Sequence, residues 1–189
     1  MIFRICALAL LLSPGLAMAA PGGLDVSGTI NWISDAPVEK IIGTADGKAS
    51  LTVDFADLST LKGTFTVAVK SMKTGNEKRD SHLMGTTWLD AEAHPEITFV
   101  IKSIKVGEAP TGDAVKTATV EATGDFTCHG KTKAITAPVT LKWKGKKVKI
   151  STVFEVSLDD YGIEGKSGIV GNKVGKTIAV NATFKGKAN

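Results

Sequence analysis

From Leu24 onward, apolar and polar residues alternate along most of the chain. Leu24, Val26, Ile30 and Trp32 share one face, and Asp25, Ser27, Thr29 and Asn31 take the other. A period of two on this scale predicts a half-buried strand, ended here by Ala36-Pro37. Residues Val38 to Gly47 read as a short strand around Lys40 to Thr44, closed by a turn at Asp46-Gly47. Leu51, Val53 and Phe55 mark the next face, and Ala56 to Ser59 reads as a loop or a single helical turn. Phe65, Val67 and Val69 follow. The pattern resumes at Ile97, Phe99 and Ile101, then at Val120, Ala122, Gly124 and Phe126. It continues through Ile135 to Trp143, Val148 to Leu158, and Ile178 to Phe184. Turn signals separate these runs at Glu108 to Asp113, His129 to Thr132, Gly145 and the Gly-rich stretch from Asp160 to Gly175. About eight long strands, no long amphipathic helix and no evident repeat predict an all-β antiparallel sandwich or closed barrel. Closure is favoured, because nearly every strand has one apolar face and none stands out as a short, charged edge.

Between Thr74 and Phe99 the alternation stops. Gly75-Asn76 breaks the strand, a charged run Glu77-Lys78-Arg79-Asp80 leads into Ser81-His82-Leu83-Met84, and Pro95 closes the excursion. A β protein that leaves its sheet for so long is building a lid, a mouth or a site. The stretch predicts a short helical excursion near residues 76–92. If Arg79 to Leu83 is helical, Asp80 and His82 are two apart and share no face, which disfavours an acid–base pair. The preferred reading is architectural. Arg79 and Asp80 pair or cap a short helix at one end of the barrel, and His82 is held beside them. Leu83, Met84, Trp88 and Leu89 form its apolar side and close or line the mouth.

The first residues follow a different logic. Arg4 precedes an apolar run from Ile5 to Leu12, Ser13-Pro14-Gly15 breaks it, and Ala17-Met18-Ala19 supplies small residues. This predicts a signal peptide over residues 1–19, cleaved after Ala19 or Ala20, with one domain over 20–189. The run is too short to span a bilayer. Export to the periplasm, or to the extracellular medium, is the expected localisation. Losing Arg4 takes Lys+Arg from 23 to 22 against 19 acidic residues, and the formal charge from +4 to +3. Such a mild excess suits weak attraction to an anionic membrane surface and does not specify nucleic acid. Cys128 is the single cysteine after residue 19, so no intrachain disulfide is expected and the core must hold the fold.

Reactive constellations are weak. Cys128 and His129 are adjacent, but neighbours on a strand point to opposite faces. His82, His94 and His129 show no ligand spacing, and Asp159-Asp160 lacks the partners of a calcium loop, so neither a metal nor a cofactor is expected. Gly165-Lys166-Ser167 and Gly175-Lys176-Thr177 end like phosphate loops, yet Asp160 and Val170 stand where the first glycine is required. Lys142, Lys144, Lys146, Lys147 and Lys149 form the densest basic patch, a solvated hairpin face or a contact for acidic headgroups. The apolar face carries Ala118, Ala122, Gly124, Ala137 and Ala182 among larger residues. Small residues can interdigitate in a solid core or leave a tube.

The segment Ser71 to Leu83 (SMKTGNEKRDSHL), followed by Trp88-Leu89-Asp90 and Pro95-Glu96-Ile97-Thr98-Phe99, resembles the signature of the YceI-like, lipocalin-like polyisoprenoid-binding proteins. Gly124 to Lys133 resembles a further element of that family, as do Asp160-Tyr161-Gly162-Ile163 and Val170 to Val180. Val38 to Thr44 departs from it, where many members carry a His-x-Gly stretch. The resemblance implies an eight-stranded antiparallel lipocalin-like barrel with a long apolar pore around an isoprenoid or similar lipid, and it favours the tube. On that reading the pore is lined by Phe65, Val67, Ile97, Phe99, Val120, Phe126, Val139, Leu141, Ile150, Phe154 and Val180. The expected function is a carrier or store for a polyprenol or isoprenoid quinone, not an enzyme. The alternative is a filled barrel that binds a partner protein through its loops in envelope stress. Expected partners are a long-chain lipid, transiently an anionic membrane surface, and a second copy in a homodimer; nucleic acid is not expected.

Overall fold

The computed structural model describes residues 21–35, 39–163 and 175–189. The expected signal peptide and most of the Gly-rich connection lie outside the described residues. Eight strands run in chain order: β1 Gly22–Asp35, β2 Lys40–Asp54, β3 Asp57–Ala68, β4 Glu96–Val106, β5 Lys116–Cys128, β6 Lys131–Lys144, β7 Lys147–Ser157 and β8 Thr177–Ala188. One helix, α1 (Glu77–Met84), interrupts them between β3 and β4. Each strand pairs antiparallel with its sequence neighbours, and β8 pairs back onto β1 from Leu24↔Ala188 to Ser34↔Ile178. The result is a closed barrel, the alternative that removes both sheet edges.

Connections fall into two kinds. At one end the chain turns tightly, at Phe55-Ala56 between β2 and β3 and at Gly145-Lys146 between β6 and β7. The β4–β5 loop lies at this end too. The opposite end carries the long excursion around α1, together with the tight His129-Gly130 turn, where both residues have positive φ (49° and 70°).

The interior is uneven along the barrel axis. Towards the tight-turn end it is solid: Leu24, Leu51, Val120, Leu141 and Val148 are buried, with Leu141 at 0% exposure. Phe55 and Trp143 stack across it with ring centroids 5.1 Å apart, and Leu58 and Leu61 fill the rest of this core. Towards the α1 end a second cluster of Val69, Leu89, Ala91, Phe126, Cys128, Tyr161 and Ile163 caps the barrel.

Two local expectations are corrected. Asp46-Gly47 does not turn; both residues lie inside β2, where Gly47 pairs with Gly28 and Val67. The glycine is there for close approach. A Cβ at Gly47 would stand 2.5 Å from Ile30 Cδ1 and 2.8 Å from Phe184 Cε1. Val69, read as the end of the third strand, belongs instead to a 3-10 turn (Val69–Ser71) that starts the excursion and buries its side chain.

Leu141 tests the solid half. Leu141→Ala should cost about 2–5 kcal/mol in urea unfolding, the range for deleting a fully packed leucine. A loss well under 1 kcal/mol would mean that the space around Leu141 was already open.

Candidate functional site: an apolar cavity beneath α1

The excursion is held by short polar contacts. Asn76 caps α1, its Oδ1 accepting from the Arg79 amide at 3.1 Å. A helix of 8 residues is too short to persist alone, so its anchorage matters. Asp80 is buried, and its Oδ1 accepts from the Thr74 hydroxyl at 2.6 Å and the Thr74 amide at 2.8 Å. Arg79 Nε donates to the same hydroxyl at 3.1 Å, and its Nη1 pairs with Glu39 Oε1 at 2.9 Å. Backbone bonds between Thr44 and Lys73 tie the segment to β2 at 2.8 and 2.9 Å. Arg79 and Asp80 therefore neither pair directly nor cap the helix. Thr74 stands between them and Asn76 is the cap.

Donation by the Thr74 hydroxyl is the largest influence on Asp80. It holds the carboxyl below its ordinary 3.8 against an opposing push from burial. The Thr74 amide and the charges of Lys73 and Arg79 add to the lowering.

Beneath α1 lies a cavity of about 290 Å³ whose walls take residues from all eight strands. Of the expected lining, Phe65, Val67, Ile97, Phe99, Phe126, Val139, Ile150, Phe154 and Val180 reach it. Val120 and Leu141 do not. They face inward but are packed in the core just below it, each directly opposite a residue that does reach the cavity, Val139 and Ile150. Of the expected mouth residues, Arg79, His82, Leu83, Trp88 and Leu89 border the cavity, while Asp80 and Met84 do not. Asp80 is turned into Thr74, and Met84 packs on the capping cluster.

The lining also includes Ile30, Trp32, Ile41 and Ala45 from β1 and β2, and Cys128, Ile135, Thr152, Val156 and Ile178 from β5 to β8. The inward face of Ile30, Trp32, Ile135, Thr152, Val156 and Ile178 was visible in the alternation, whereas Ile41 and Ala45 lie in the stretch read as a short strand and a turn; height along the axis was visible for none of them. Trp32 owes its place to Gly43, its direct partner on β2. A Cβ at Gly43 would lie 2.1 Å from the indole ring.

The cavity offers little reactivity. Burial pushes the Cys128 thiol up to about 12, so it remains protonated. His129 sits on the turn with Nδ1 3.2 Å from the Tyr161 carbonyl oxygen, and its ring meets His94 edge-on at 5.2 Å. Among the described residues no group of three His, Cys, Asp or Glu is placed to hold a metal. Two polar atoms of the lining residues are buried without a hydrogen-bond partner, Trp32 Nε1 and Thr152 Oγ1. Each such group costs about 1–3 kcal/mol unless something pairs with it.

An up-and-down barrel with an apolar cavity beneath a polar-anchored helix is a lipocalin-like architecture. The YceI-like domain family matches residues 25–185, and the chain belongs to that family. A UPF0312 protein of Pseudomonas putida is 34% identical over 166 residues, covering 82% of each chain. One from Pseudomonas syringae pv. tomato is 32% identical over 187 residues, covering 93% of this chain and 91% of the relative. Among solved structures, Burkholderia cenocepacia BcnA superposes with a TM-score of 0.71 at 21% identity, over 84% of this chain and 95% of its own. A polyisoprenoid binding domain from Saccharophagus degradans implicated in plant cell wall breakdown superposes with a TM-score of 0.70 at 12% identity, over 88% and 98%. At these identities both structural likenesses concern the fold.

Asp80 tests the anchorage. Asp80→Ala should cost about 1–3 kcal/mol at neutral pH, since it strips two donors of a buried acceptor. Because the folded carboxyl titrates below 3.8, its contribution is complete above that pH and fades as pH falls through the folded value. Urea titrations of wild type and variant between pH 7 and pH 2 should therefore converge at the acid end. An unchanged gap would assign the effect to packing.

Proposed function

We propose that this chain is an exported carrier or store for a long apolar lipid of isoprenoid type, a polyprenol or isoprenoid quinone, held in the barrel cavity. The observation that carries the reading is the cavity itself, which is walled mostly by apolar side chains and has Arg79, Glu39 and His82 among its few polar lining residues. Such a space binds by burial and shape. Each buried CH₂ contributes about 0.8 kcal/mol, so a long chain needs few polar contacts. The volume lies near the lower end of the roughly 300–1,000 Å³ of small-molecule sites. A long chain is then held in part, with its remainder leaving past α1. An oxygen on the ligand would also pair with Trp32 Nε1 or Thr152 Oγ1, which a pure hydrocarbon would leave unpaired.

The ligand class draws support from the family and from the polyisoprenoid binding domain with the same fold. The sequence of residues 1–19 supports export to the periplasm. Binding rather than catalysis fits a cavity whose one thiol is held protonated. A filled barrel acting through its loops requires no such cavity, and the open space in the α1 half counts against it.

Protein purified from its own host should release an isoprenoid-type lipid on solvent extraction, identified by mass spectrometry. Ala137→Phe, which places a ring in the cavity, should abolish retention and leave the fold's circular dichroism unchanged. A preparation that is empty and takes up neither added polyprenol nor isoprenoid quinone would overturn the proposal.

A further inference from the structure

The basic patch seen in the sequence is larger and more ordered on the barrel than along the chain. Register places Lys142 opposite Lys149, and Lys149 opposite Lys185. Two residues further along, Lys144 is opposite Lys147, and Lys147 opposite Lys187. Two rows of three lysines thus cross β6, β7 and β8, with Lys146 on the adjoining turn. All seven are exposed, and none joins an ion pair among the described residues. Strand spacing makes each row about 10 Å wide, and the rows stand about 7 Å apart. The nearest cross-strand acid is Asp25, opposite Lys187.

Like charges set directly opposite one another destabilise a sheet. On β4 and β5, by contrast, lysines are matched with acids: Lys102 pairs with Asp125 at 3.1 Å and Lys105 with Glu121 at 3.0 Å. The lysine rows lie on strands whose inner residues Leu141, Trp143 and Val148 are buried in the solid half, so their backing is well packed. They are at the end away from the α1 mouth. At this same end Val106, the last residue of β4, and Val115, in the β4–β5 loop, are 40% and 48% exposed. The register that pairs Lys116 with Trp143 brings Val115 next to Lys144.

We propose that this face docks the barrel on an anionic phospholipid bilayer. Lysine is a compact, strongly hydrated charge that protein–protein interface cores disfavour, whereas arginine and aromatic residues are enriched there. This patch holds neither arginine nor an exposed aromatic residue, which also disfavours single-stranded nucleic acid. Diffuse cations beside exposed valines match lipid headgroups over shallow acyl chains. A barrel docked in this way keeps its mouth off the membrane and open to the aqueous side. The proposal is independent of what the cavity holds.

Sedimentation with phosphatidylglycerol–phosphatidylcholine vesicles tests it. Wild type should bind at low salt, release as ionic strength rises past about 0.5 M, and ignore pure phosphatidylcholine. Each lysine near an anionic surface is worth about fivefold in partitioning, so the K142Q/K149Q/K185Q triple variant should bind about a hundredfold more weakly. Its melting temperature should hold or rise, because repulsion is relieved. The control K70Q/K102Q/K105Q removes the same net charge from other faces and should bind nearly as wild type. Equal losses in the two triple variants, equal binding to neutral vesicles, or no binding to anionic ones would overturn the proposal.

Discussion

Closure of the sheet is the constraint from which the rest follows. Joining β8 to β1 leaves no strand at a free edge of the sheet, and it also fixes a circumference of eight strands. The interior of such a ring is only wide enough for side chains or one slender ligand. What occupies it depends on residue size at each height. Leucines, valines and Trp143 fill one half. In the other, Ala45, Ala137 and Ala182 set back the wall between larger side chains, and the ring is left open. One backbone solution therefore yields a rigid base and a receptive chamber.

A chamber needs an end wall that is neither sealed nor loose. The segment after β3 meets this with polar contacts instead of a long helix. Thr74 is its centre: its amide and hydroxyl engage Asp80, and its hydroxyl also receives Arg79, which reaches out to Glu39. The apolar side of the segment, Leu83, Trp88 and Leu89, lies over the opening. The charged run that suggests reactivity when read as a sequence is thus an anchorage. Its most perturbed member, Asp80, is committed to Thr74 and absent from the cavity wall.

The base and the chamber face different surroundings. The base presents lysines that join no ion pair among the described residues, beside exposed valines, and the chamber presents Arg79 paired with Glu39. Separating the two along the barrel axis lets one end attract a charged surface without placing charge in an apolar cavity, where desolvation would penalise it.

Much of this was legible in the residues. Alternation of period two located the strands and their inner faces, because side chains on a strand must point to opposite sides. The motif from Ser71 to Phe99 pointed to the family. Local pattern failed where identity has a nonlocal cause. Asp46-Gly47 looks like a turn, yet Gly47 is small because Ile30 and Phe184 need its space. Val120 and Leu141 have the same inward, apolar character as Val139 and Ile150, their partners across the strands, yet only the latter two reach the cavity. Lys185 and Lys187 joined the basic patch only when β8 came to lie beside β7. Sequence alone determined which face of each strand is buried, since that is a property of neighbours along the chain. Tertiary structure decided the height of each residue, its partners across strands and hence where the barrel is hollow. Those depend on register and closure, which no single strand encodes.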